Sequence, residues 1–187
     1  MTISPEPWSS PATSVPPVQL VRIAVEQIHT LAEIDPHRAL GVSDSAPTEE
    51  YLTPYLRGPE CRSLWSYRSA QVLRSPSDAA WITRLIVTPG VRSAVGVAGF
   101  HGPPDERQMI EVGYRVDPQY RRRGYARSAL ESLLAIARSH PAVRVVRASV
   151  SPDNVASRTL ISQYGFVEVG EQWDEEDGLE ILFEVGV

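Results

Sequence analysis

Between Met109 and Ala137 the hydrophobic period of the chain changes once, from two to helical spacing, and a glycine stands close to the change. In "QMIEVGYRV", Ile110, Val112, Tyr114 and Val116 alternate with Met109, Glu111, Gly113 and Arg115. This is a strand pattern, with Glu111 and Tyr114 on opposite faces. "DPQYRRRG" closes the strand and opens a helix, in which Ala126, Ala129, Leu130, Leu133, Leu134 and Ala137 recur at helical spacing until His140-Pro141 stops it. The first turn of a helix carries unpaired N–H groups and a partial positive charge, so phosphate oxygens can be held there, and a glycine lets them approach. Arg122 and Arg123 could add ionic support, and the small Ala126 keeps helix and ligand close. The other reading of "RRRG" is a solvated basic turn ahead of an ordinary amphipathic helix.

The rest of the chain extends this order. "VRVVRAS" reads as a branched strand, "DNVASRTLISQYG" as a capped helix ending at glycine, and residues near 166–172 and 179–185 as two final strands. Upstream, 80–87 and 93–100 form a hairpin around Pro89-Gly90, and two short helices fall around 48–56 and 60–74. "VQLVRIAV" from Val18 is a first strand, and Pro36 interrupts any helix behind it. Residues 1–17, crowded with proline and serine, read as a flexible tail. The expectation is one α+β domain over residues 18–187.

Composition narrows the function. A chain of 187 residues with 42% hydrophobic content can bury one core. A net charge of −5 argues against a nucleic-acid-binding face, so the basicity at 121–123 is local. The 18 cationic side chains are all arginine, from which no mechanism follows. Cys61 is the one cysteine, which excludes an intrachain disulfide and reads as a small buried hydrophobe. No run reaches the ~18–20 apolar residues of a membrane span, and the N-terminus lacks the order of a signal peptide, so the expected location is the cytoplasm. His29, His37, His101 and His140 have no metal-ligand spacing, and no metal is expected. The glycine-rich signatures of ATP and dinucleotide sites are missing as well.

At this point "IEVGYRVDPQYRRRGYARSALESLLAIA" and "NVASRTLISQYGF" together resemble the GCN5-related N-acetyltransferases, in particular the branch of ribosomal-protein N-terminal acetyltransferases. The cofactor loop of that family, [QR]-x-x-G-x-[GA], corresponds to Arg121, Gly124 and Ala126, and its second motif to Asn154 with Gly165-Phe166. The resemblance covers about residues 80–170. It implies a mixed, mostly antiparallel sheet of about six to seven strands flanked by about four helices, with acetyl-CoA as co-substrate. By the same resemblance Tyr114, Arg115 and Val116 line the pantetheine arm through main-chain groups. Arg121, Arg122, Arg123, Gly124, Tyr125, Ala126 and Arg127 surround the pyrophosphate, and Asn154 meets the cofactor unless it is only a helix cap.

An amine acceptor must lose a proton before it attacks a thioester, so a base is required. Glu111, on the cofactor strand, is the candidate by position and by resemblance; the alternative is a carboxylate paired with a neighbouring arginine. Ser149, a position some relatives use, cannot serve as a carboxylate base. Many relatives protonate the departing sulfur with a tyrosine seven residues after the motif Asn, where this chain has Ile161. Ser157 is the replacement the resemblance offers, ahead of Tyr164. The acidic run at 174–180 either draws a cationic acceptor or is a solvated turn. Trp65, Trp81 and Trp173 belong to the core or to the acceptor pocket. The implied partner is a primary amine, on a protein N-terminus or a small molecule, with no nucleic acid or membrane and with a monomer or homodimer as the working unit. The competing function is a non-catalytic acyl-CoA sensor on the same fold.

Overall fold

The computed structural model describes residues 3, 6–33, 51–175 and 178–187. Among the described residues eight strands form one sheet in the order β1-β2-β3-β4-β5-β6-β8-β7. They are β1 (Trp8–Ser9), β2 (Gln19–Arg22), β3 (Arg84–Val87), β4 (Gly96–Phe100), β5 (Met109–Val116), β6 (Val145–Val150), β7 (Val167–Asp174) and β8 (Gly178–Gly186). Every neighbouring pair runs antiparallel except β5 and β6, which are parallel. Five α-helices flank the sheet among the described residues: α1 (Val25–Glu33), α2 (Pro54–Arg57), α3 (Arg62–Arg74), α4 (Tyr125–Ser139) and α5 (Val155–Ile161).

Local chemistry fixes the helix starts. Thr53 accepts the Leu56 N–H at 3.3 Å ahead of Pro54, and Asn154 accepts the Ser157 N–H at 3.1 Å ahead of α5. Packing then settles the layers. Leu85 and Val97 face Ile28, Leu31, Leu56 and Trp65 of the α1–α3 side, whereas Ile86, Ala98 and Phe100 face Leu130, Leu133 and Leu134 of α4. Because β3 and β4 are covered on both faces, "RLIV" and "GVAGF" read as apolar runs rather than alternations.

The expectation of a flexible tail over 1–17 is corrected. Trp8 is 2% exposed on β1, which pairs with β2 through Trp8 opposite Leu20 and Ser9 opposite Gln19. Its ring lies 5.5 Å from that of Phe100, and the Arg84 guanidinium sits 3.5 Å over it. Arg84 also donates to the Glu6 carbonyl at 3.1 Å, and Ser14 donates to Glu131 on α4. One tryptophan with a cation stacked on it outweighs the prolines around it, which only hold the segment extended. This segment supplies the eighth strand, beyond the six to seven expected. The hairpin strands are also shorter than 80–87 and 93–100, running over 84–87 and 96–100, and Ala80 belongs instead to a 3₁₀ turn that begins at Pro76. The helix expected at 48–56 lies partly outside the described residues; within them α2 begins at Pro54.

Trp8→Ala is expected to reduce stability by about 3–5 kcal/mol, as for other buried aromatic truncations. Urea unfolding measures it; a free tail would give a change within about 0.5 kcal/mol.

Candidate active site

The parallel pair β5–β6 is held by three registers only, Met109 with Val145, Ile110 with Val146 and Glu111 with Arg147. Beyond Glu111 the strands part. Residues 112–116 of β5 stay paired with β4, and residues 148–150 of β6 stay paired with β8. The gap is a cavity of about 800 Å³, walled by Val112–Arg115 on one side and Ala148–Ser151 on the other, with Asn154 and Ser157 of α5 beside it. The edge of β5 facing the gap therefore carries backbone groups without a ladder partner in β6.

Glu111 is the last paired residue before the gap. The Ser149 hydroxyl donates to its Oε1 at 2.7 Å, and His101 Nδ1 lies 3.3 Å from the same oxygen. Burial pushes the carboxyl above its ordinary range; the Ser149 hydrogen bond and the charges of Arg147 and Arg68 act against burial, and Asp174 acts with it. Arg147, opposite in register, donates to Glu184 instead. Glu111 is therefore not the partner of a neighbouring arginine. Sequence reasoning named Ser149 only as a non-base and missed His101 at this site. His101 stands beside Glu111 because β4 and β5 are antiparallel neighbours, and Gly113 makes room for its ring: a Cβ there would lie 2.7 Å from His101 Nε2.

Tyr114, Arg115, Asn154 and Ser157 all line the cavity. Burial raises the Tyr114 phenol above its usual range, offset in part by the adjacent Ser157 side chain, and the phenol oxygen lacks a hydrogen-bond partner of good geometry. Ile161 is fully buried in the core and takes no part. The Tyr164 hydroxyl donates to Glu131 at 2.5 Å, away from the cavity, which removes it as an acid.

The basic loop stands apart from these residues. Arg121 donates to the Val116 carbonyl at 3.1 Å and ties the loop to the end of β5. Arg123 sits 5.6 Å over the Tyr120 ring, Arg127 donates to Gln163 at 2.6 Å, and Tyr125 is buried edge-on to Tyr120. Arg122 and Gly124 both hold positive φ, +62° and +86°. Such reversals bend the backbone into a concavity of the kind that can accept an anion, here directly ahead of α4, whose N-cap Gly124 has no capping side chain. The structure adds a reason for glycine at 124 beyond the ligand approach expected of it. A Cβ there would meet Pro16 Cδ and the Val15 carbonyl at 2.9 Å, so glycine is required by its φ and by the N-terminal segment crossing it.

At the other end the cavity meets Ser63, Leu64, Tyr67 and Arg68 of α3 and Trp173, Asp174, Glu175 and Glu180 of the β7–β8 hairpin. Trp173 is 76% exposed on this rim, while Trp65 and Trp81 are core residues. Among the described residues no cluster of His, Cys, Asp and Glu could hold a metal ion, and no helix is long and apolar enough to cross a membrane. His37 lies outside the described residues.

The chain belongs to the GNAT family: the model of the acetyltransferase (GNAT) domain matches residues 27–167. It is 35% identical over 88 residues to the Bacillus subtilis N-acetyltransferase YjdG, itself uncharacterised, a match spanning 47% of this chain and 51% of that relative. Among solved structures it resembles Mycobacterium smegmatis RimJ in complex with CoA-disulfide, with a TM-score of 0.60 at 18% identity over 97% of this chain and 86% of that one. The ribosomal L7/L12 α-N-protein acetyltransferase RimL, in complex with coenzyme A, gives a TM-score of 0.62 at 15% identity over 97% and 98%.

Two outcomes follow from this geometry. A carboxyl whose pKa rises on folding favours the fold only while protonated; its contribution is present at low pH and is lost as pH rises through the raised value. Glu111→Gln should therefore melt above the parent at pH 7–8, with the advantage shrinking toward the ordinary glutamate range near ~4.3. Thermal melts across pH measure this. Gly124→Val should lower stability by more than the ~1 kcal/mol that helix propensity involves, because a branched side chain is strained at positive φ and meets Val15 and Pro16. Urea unfolding checks it.

Proposed function

We propose that the protein is an acetyl-CoA-dependent N-acetyltransferase acting on a primary amine, with Glu111 as general base. The observation that carries this reading is the parting of β5 and β6 directly after Glu111, a half-buried carboxylate that does not itself line the cavity but contacts two residues that do, Ser149 and His101. The groups present fit the co-substrate. Tyr114 and Arg115, followed by Val116, offer a strand edge without a partner in β6 to an extended amide arm, and Tyr114 and Arg115 line the cavity. The concavity at Arg122–Gly124 and the first amides of α4 suit a pyrophosphate, while Arg121, Arg123, Tyr125, Ala126 and Arg127 shape and charge its surroundings. Asn154 spends its side-chain oxygen on the Ser157 N–H, leaving its amide nitrogen to donate.

Bound acetyl-CoA supplies a thioester carbonyl as the electrophile. Glu111 Oε2 takes a proton from the acceptor ammonium, directly or through water, while Oε1 is held by Ser149 and His101. Ser157 Oγ, on the cofactor wall, holds a proton for the departing sulfur. The carboxylates of the hairpin on the cavity rim favour a cationic amine, and likeness to RimL, an α-N-protein acetyltransferase, supports a protein N-terminus as acceptor. One copy of the chain brings these residues together, and the lone, buried Cys61 accords with a reducing cytoplasm.

Thiol release with acetyl-CoA over Ser- and Ala-starting peptides and small primary amines tests the function. Glu111→Gln should lower kcat by ~10²–10⁴-fold with parent affinity for acetyl-CoA. Ser157→Ala should lower it ten- to a hundredfold, on the order of the 1.5–3 kcal/mol of one hydrogen bond to a charged group. Acetyl-CoA binding without release on any acceptor would instead favour the sensor.

A further inference from the structure

Arg68 is 5% exposed in the middle of α3 and has no direct carboxylate partner among its hydrogen bonds. Its Nε donates to Thr83 Oγ1 at 3.1 Å, and its Nη1 donates to Gln71 Oε1 at 2.7 Å and to the His101 carbonyl at 3.2 Å. Gln71 Nε2 donates to the same carbonyl at 2.8 Å and to Asp78 Oδ2 at 2.8 Å. Two buried side chains thus converge on one main-chain oxygen, that of the residue whose imidazole touches Glu111. A guanidinium taken out of water is costly, and fixing a turn at the end of β4 does not require a charge. We infer that Arg68 is a positioning residue for the Glu111 base, acting through the His101 main chain and through its own buried charge. This rests on Glu111 being the base.

The two routes are physically separate. The fork of Arg68 reaches Thr83, Gln71 and His101 at once, which a single ammonium cannot do. Its charge favours the ionised carboxylate of Glu111 against burial, together with Arg147 and the Ser149 hydrogen bond, and Asp174 opposes it. Arg68 itself has its pKa lowered by burial, with Tyr67, Glu111 and Asp78 acting against that. The sign follows: losing the cation should make Glu111 harder to ionise, and losing only the fork should leave its ionisation but loosen His101.

The experiment compares the parent, Arg68→Met, Arg68→Lys and Glu111→Gln, each first shown by circular dichroism to be folded. Carboxylate ¹³C NMR titration of the free protein follows Glu111, its signal assigned as the one missing in Glu111→Gln. The midpoint should move to higher pH in Arg68→Met and stay near the parent in Arg68→Lys. With acetyl-CoA and the best acceptor of the panel, kcat should fall at least tenfold in both Arg68 variants, and the acid limb of its pH profile should move up in Arg68→Met alone. Coincident titration curves for the parent and Arg68→Met, or a kcat within twofold of the parent, overturn the proposal. Should Arg68→Met not fold, Arg68→Lys decides it, and a parent kcat there overturns it. A fully active Glu111→Gln would remove the base reading and this proposal together; an inactive one beside unaffected Arg68 variants removes this proposal alone.

Discussion

Three residue pairs between β5 and β6 hold the site together. A parallel ladder that continued past Glu111 would close the edge of β5 and leave no room for a ligand; one that stopped earlier would leave Glu111 in solvent. Each strand keeps its outer partner after the split, β4 for β5 and β8 for β6, so the sheet opens without fraying. The open edge is stable because the layers on both faces are complete: α4 covers one side with Leu130, Leu133 and Leu134, and α3 covers the other with Trp65 and Val72.

The same split sorts the chemistry by location. Arginines and unpaired backbone amides gather at the loop ahead of α4, where Arg122 holds a φ of +62° that a non-glycine residue seldom adopts. Ser149 and His101 gather around Glu111 where the strands part, and there burial and polar neighbours act oppositely on its carboxyl. Carboxylates gather at the far rim on the β7–β8 hairpin. On the proposed function an acceptor cation would be met by negative charge at the entrance and by a carboxyl whose pKa burial has raised, a combination suited to taking its proton.

Elements with strong period were legible in the sequence. The β5 alternation, the α4 apolar stripe and the caps at Asn154 and Gly165 stand where the pattern places them, because those residues satisfy local and tertiary demands alike. The N-terminal strand was not legible, since Trp8 acts through Phe100 and Arg84, partners about 75 to 90 residues away. His101 was hidden for a similar reason: its role depends on antiparallel register with β5 and on an arginine two elements earlier. At Gly124 the contact that forbids a side chain comes from Val15 and Pro16, more than a hundred residues away, and left no local signal in the sequence.

The acid side of the site is more lightly built than the base side. Ile161, fully buried, has been given to the core, so the helix position that many relatives use for a phenol carries packing here. What remains beside the cofactor wall is a serine hydroxyl on α5 and a phenol on β5, Ser157 and Tyr114, close enough that one eases the burial of the other. A thiol with an ordinary pKa near ~8.5 leaves far more readily than an alkoxide, so its departure requires little assistance. An ammonium with a pKa near that of a free amino terminus, about 7.7–8.0, or higher for an alkyl amine, cannot attack at all until it is deprotonated. With Glu111 as the base and Ser157 as the acid, as proposed, the asymmetry of the site would follow that of the reaction: hydrogen bonds and charges surround Glu111, where a proton must be removed, and the sulfur is left to a single hydroxyl.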